Sequence, residues 1–94
     1  MRKTFAMLIL TPSGEVFSGE AEYLDVPASD GRMGILAGHA TMVARLSAGE
    51  LRASLPSGDS AWNIEEGFLR VYDNEAAILT TVASLVRPAP VPRS

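Results

Sequence analysis

Alternation of apolar and polar residues is the clearest signal along this chain. In ELRASL, residues 50–55, Leu51, Ala53 and Leu55 share one face while Glu50, Arg52 and Ser54 share the other. That period of two is the pattern of a half-buried strand. In FLRVYD, residues 68–73, Leu69 and Val71 oppose Phe68, Arg70 and Tyr72, so both faces are partly apolar. Such a strand is packed on both sides, or its outer face meets a partner. The run Phe5 to Leu10, closed by Thr11-Pro12-Ser13-Gly14, predicts a buried first strand. ATMVARL, residues 40–46, suits helix or strand by period alone; its place between two Gly-containing turns predicts strand.

Turn signals recur at 12–14, 18–19, 30–31, 37–39, 47–49, 56–59, 66–67 and 73–74. Many short strands at this spacing predict an all-β sandwich or barrel. No internal repeat or long linker interrupts the pattern. With 94 residues there is room for one domain and one small core. The expected division is a β domain over 1–85 and a Pro-rich tail over 86–94. Prolines at 88, 90 and 92 exclude helix and central strand, so the tail is expected to be extended and mobile.

Composition narrows the function classes. The chain is 47% hydrophobic and 20% charged, ordinary for a globular protein. A net charge of −3 gives no electrostatic reason to expect nucleic acid or an anionic membrane surface. Without cysteine there is no disulfide framework, thiolate zinc site or cysteine nucleophile. Arg2 and Lys3 before the apolar run imitate a signal peptide. The run is short for an apolar signal core, no small-residue cleavage site follows, and it is far below a membrane span.

The stretch DGRMGILAGHA, Asp30 to Ala40, holds the candidate chemistry: three glycines and the only histidine, His39. A phosphate-binding P-loop needs a Lys-Ser/Thr pair after its second glycine, but Ile35 follows Gly34 and no lysine occurs after Lys3. The glycine spacing also fails the dinucleotide fingerprint. His39 as a base with Ser29 or Ser47 as nucleophile lacks a nucleophile elbow. One histidine without a paired ligand makes a poor metal site. The carboxylates Glu65 and Glu66 face opposite ways on a strand, and Glu20 and Glu22 suit a solvated edge. No cofactor is expected. The glycines are expected to shape a bent loop, with His39 on a loop at a sheet end, where binding residues concentrate.

The same stretch carries a resemblance. DGRMGILAGHATMVARLSAGELR is similar to the signature of the ε subunit of F-type ATP synthases, called δ in mitochondria: an acidic-Gly-x-x-Gly-[Ile/Val]-Leu-Pro-Gly-His-Ala core before a short strand. LILTPSGEVFSGEAEYLDVPASDG resembles the family's opening, and EEGFLRVYDNEAAILTTVA its closing hairpin. The likeness runs from about Phe5 to Ala83. It implies a two-sheet β-sandwich of antiparallel strands at the foot of a rotor's central stalk. The implied partners are the γ subunit, against one face, and the polar loops of the membrane-embedded c-subunit ring, at one end. By resemblance Gly31, Arg32, Gly38 and His39 are the ring contacts. The resemblance also implies a non-catalytic subunit within an enzyme complex, placed at the cytoplasmic face of a bacterial inner membrane.

Three departures accompany the likeness. Ala37 stands where the family usually has proline, which loosens the loop but leaves Gly38-His39 in place. Arg32 stands where many members carry a carboxylate, so a compensating change on the partner is expected. Only Arg87 to Ser94 follow the last predicted strand, too few for the pair of helices that in many relatives inhibits hydrolysis and in some binds ATP. That hairpin and its ATP site are therefore expected to be absent. The alternative is a small secreted β-domain that binds a ligand or glycan once residues 1–10 are removed.

Overall fold

The structure, a computed structural model, describes residues 3–87. These form ten strands: β1 (Phe5–Thr11), β2 (Gly14–Ala21), β3 (Tyr23–Ala28), β4 (Gly31–Leu36), β5 (Met42–Leu46), β6 (Gly49–Leu55), β7 (Gly58–Ile64), β8 (Gly67–Tyr72), β9 (Glu75–Thr80) and β10 (Ala83–Arg87). No helix occurs among the described residues. The ambiguous stretch before Leu46 is strand β5, as its flanking turns predict. Strand β10 reaches Arg87, which pairs with Ala61, two residues past the boundary expected at 85. The rest of the expected tail, 88–94, lies outside the described residues.

Hydrogen bonding links nine strands in the order β10-β7-β6-β3-β5-β8-β9-β1-β2, with β4 attached to β3. This path folds over on itself as two packed layers, and β3 is the hinge. Its first residues, Tyr23 to Asp25, pair with β6, whereas its last, Ala28, pairs with Leu46 of β5. Alternate inward residues of both layers then meet in one core: Met7 and Ile9 from β1, Leu24 and Val26 from β3, Leu51 from β6, Leu69 and Val71 from β8, and Ile78 from β9. Phe17 and Trp62 close it, with ring centroids 5.2 Å apart.

One pairing departs from the antiparallel expectation. Strands β1 and β9 run parallel, Ala6 opposite Glu75 through Leu10 opposite Leu79. Parallel neighbours need a long crossover, and here everything between β1 and β9 supplies it.

The two outer faces differ in chemistry. On the β3-β6-β7 side, Arg32 pairs with Asp25 and Arg52 with Glu50, and Asp59 and Asn63 stand beside them. Glu50, by hydrogen bond first and charge second, raises the Arg52 guanidinium above its ordinary pKa. On the β8-β9-β1 side, Phe68 and Leu79 pair across strands, are 49% and 45% exposed, and continue into Leu10. The partly apolar outer face of FLRVYD is thus solvent-facing.

Candidate functional site

DGRMGILAGHA is not one bent loop. Gly31 to Leu36 is strand β4, with Ile35 buried and Met33 half-buried while Arg32, Gly34 and Leu36 point outward. Alternation of side chains, obscured by the glycines, explains the difference. Gly31 and Gly38 lie at the turns on either side of it, with φ of 132° and 79°, values that favour glycine.

The four expected contact residues therefore divide. At about 3.3 Å per residue, β4 alone sets Gly31 and Leu36 roughly 17 Å apart. Gly31 and Arg32 lie at the end that also holds the 12–13, 47–48, 65–66 and 81–82 connections. Gly38 and His39 lie at the opposite end, with the 56–57 and 73–74 turns and the start of β1.

At the first end, Ser29, Asp30, Gly31 and Arg32 are all exposed. The turn is held from beneath: Ser29 N donates to Arg45 O at 3.0 Å and Ser47 N to Pro27 O at 2.8 Å. Arg32 Nε donates to Asp25 Oδ1 at 3.2 Å, and its Nη2 to Asp25 O at 3.3 Å. The Arg32 charge is thus answered within the chain. Both partners retain solvent contact, so the pair contributes about 1 kcal/mol at most.

The second end is satisfied internally. His39 N donates to Leu36 O at 3.1 Å. The half-buried ring places Nδ1 2.8 Å from Ala40 O. A carbonyl only accepts, so Nδ1 carries a proton. Gly38 N donates to Asn74 Oδ1 at 2.9 Å. Asn74 was not among the residues singled out by sequence, although the Asp73-Asn74 turn signal marks its position.

Neither serine can serve His39 as a nucleophile. Ser29 and Ser47 sit at the far end of the sandwich, and Ser29 Oγ donates to Arg45 O at 3.2 Å. Among the described residues no group of three or more His, Asp or Glu side chains is placed to hold a metal ion.

One surface groove is mainly apolar. A groove of about 430 Å³ at the first end of the β8-β9-β1 face is lined by Leu10, Pro12, Gly67, Phe68, Leu79 and Thr81, among others. Arg45 lies over its Phe68 wall, with Cζ 5.8 Å from the ring centroid.

Comparison with known proteins follows this architecture closely. The ATP synthase epsilon chain of Ruminiclostridium cellulolyticum is 40% identical over 80 residues, covering 85% of this chain and 60% of that one. That of Chlorobium limicola is 39% identical over 79 residues, covering 83% and 90%. The chain thus spans three-fifths of one relative's length and nearly all of the other's. A chain in the cryo-EM structure of the Euglena gracilis mitochondrial ATP synthase, OSCP/F1/c-ring, shares the fold with a TM-score of 0.82. The two are 24% identical, over 87% of this chain and 53% of that one. These relatives lend the secreted alternative no support. The family model for the β-sandwich domain of the ATP synthase delta/epsilon chain matches residues 4–86, and the chain belongs to that family.

Proposed function

We propose that this chain is a non-catalytic central-stalk subunit of an F-type ATP synthase, linking γ to the c-ring at the cytoplasmic face of a bacterial inner membrane. Its work is mechanical: it helps couple proton flow to ATP synthesis without bond chemistry of its own. The observation that carries this reading is the family match over residues 4–86. The division of the sandwich into an apolar and a charged outer face supports it. A densely packed core deforms little under load, which suits a part that passes torque between two others.

The same division suggests how the partners are arranged. The apolar β8-β9-β1 face is the seat for γ, because a permanent neighbour is the cheapest cover for an exposed Phe-Leu pair. The Ser29–Arg32 turn is the ring contact, because its groups are exposed. Gly38 and His39 instead direct their polar groups to Asn74, Leu36 and Ala40 of the same chain. The chain is therefore expected to co-purify with γ and the c-ring from a lysate containing assembled synthase. Its recovery free of both would overturn the reading. Within that assembly, Arg32→Ala should weaken retention on isolated ring severalfold, while His39→Ala leaves it near the original level. Co-sedimentation with ring vesicles measures both, and the reverse ranking would move the contact to the other end.

A further inference from the structure

Asn74 does more than close a turn. With Asp73 it forms the centre of the β8–β9 turn, with φ of 60° and 49°, a conformation Asn and Asp tolerate best among residues with a side chain. Its carboxamide reaches away from the turn in two directions. Oδ1 accepts from Gly38 N, 36 positions away, at 2.9 Å, and Nδ2 donates to Thr4 O, 70 positions away, at 3.0 Å. A flipped amide would set donor against donor and acceptor against acceptor, so these contacts fix its orientation. Its main-chain carbonyl accepts a third bond, from Ala6 N at 3.1 Å.

Those bonds add side-chain ties to three segments that the β1–β9 and β5–β8 ladders bring near one another: the Ala37–Thr41 loop, the β8–β9 turn and the start of β1. Gly38 has no side chain and a positive φ, so its amide is the group by which it can be held from outside the loop. Ala37 lacks the ring that a proline would use to stiffen it. We propose that Asn74 is the positioning residue for this end of the sandwich: its carboxamide holds Gly38, and through it the His39 ring, fixed relative to β1 and β9. The proposal rests on bonds within the chain and stands whether or not the rotor reading does.

The test is amide hydrogen exchange on the full 94-residue chain, comparing it with Asn74→Gly and Asn74→Asp. Glycine accepts the positive φ, so Asn74→Gly keeps the turn and the carbonyl that Ala6 uses while removing the carboxamide. The Gly38 amide should then exchange about five- to tenfold faster, the loss of one hydrogen bond, with Ala6 still protected. Asn74→Asp keeps the acceptor for Gly38 but sets a carboxylate oxygen against Thr4 O, so it should restore only part of the protection at Gly38. Unchanged exchange at Gly38 in Asn74→Gly would overturn the proposal. Equal acceleration across β1, β8 and β9 would also overturn it, by making Asn74 a contributor to global stability alone.

Discussion

Gly67→Ala should unfold this domain at a markedly lower temperature than any other single methyl addition at its glycines. A Cβ at Gly67 would stand 2.0 Å from Leu79 O and 3.0 Å from both Leu79 C and Thr80 Cα. These are main-chain atoms of the neighbouring strand, so no rotamer change relieves the clash. Gly67 pairs with Thr80 on one side and Leu46 on the other, and moving it disturbs β5, β8 and β9 together. Overpacking of a well-filled site costs about 1–3 kcal/mol and occasionally more; a backbone clash inside a ladder belongs at the upper end. At about 4–8 °C per kcal/mol for a domain this size, a cost of about 3 kcal/mol lowers Tm by roughly 12–24 °C. Gly38→Ala is the comparison. It meets no atom within 4 Å and loses only the left-handed preference, about 1–2 kcal/mol. Thermal melts followed by circular dichroism rank the two. A Gly67→Ala chain melting above Gly38→Ala would refute the account.

The contrast between those glycines shows where sequence reasoning reaches and where it stops. The alternation of Leu51, Ala53, Leu69 and Val71 is a local property, and each of these residues is buried as expected. The turn signals likewise place all the hairpin reversals near their observed positions. The close approach of Gly67 to Leu79 O is a distance between strands, and no local pattern carries it. The same holds for β3 switching partners between β6 and β5, and for the parallel pairing of β1 with β9. The candidate site failed to hold together for a related reason. Gly31 and Gly38 look like parts of one loop because glycines mark both ends of β4, yet Met33 and Ile35 between them alternate inward and extend the chain. Asp25, which answers Arg32, is seven positions away, and Asn74 is 36 from Gly38. The resemblance supplied the family, and packing decides which of its residues face outward.

Phe68→Glu with Leu79→Glu should abolish capture of γ while leaving the sandwich folded. The two side chains face each other across β8 and β9 and are about half exposed. Carboxylates there remain solvated in the free chain; set directly opposite each other they repel, at a cost of about 1 kcal/mol or less, which leaves the sandwich folded. The Phe68→Glu carboxylate also faces Arg45, which now lies over the Phe68 ring. Once the face is covered the balance reverses. Two apolar anchors are lost, each worth about 2 kcal/mol or more at the centre of an interface, and two charges are buried against a surface shaped for apolar groups. At about 1.4 kcal/mol per tenfold, affinity for γ should fall at least about hundredfold. Arg52→Glu is the control on the opposite face, where it breaks the contact with Glu50 but removes no apolar surface, and γ should bind it as before. Titration of purified γ against the three chains reads the result. If the double variant binds normally and Arg52→Glu does not, γ sits on the charged face. The groove beside Phe68 would then be open surface on the proposed stalk subunit, and the seat for γ would move to the Arg52 side.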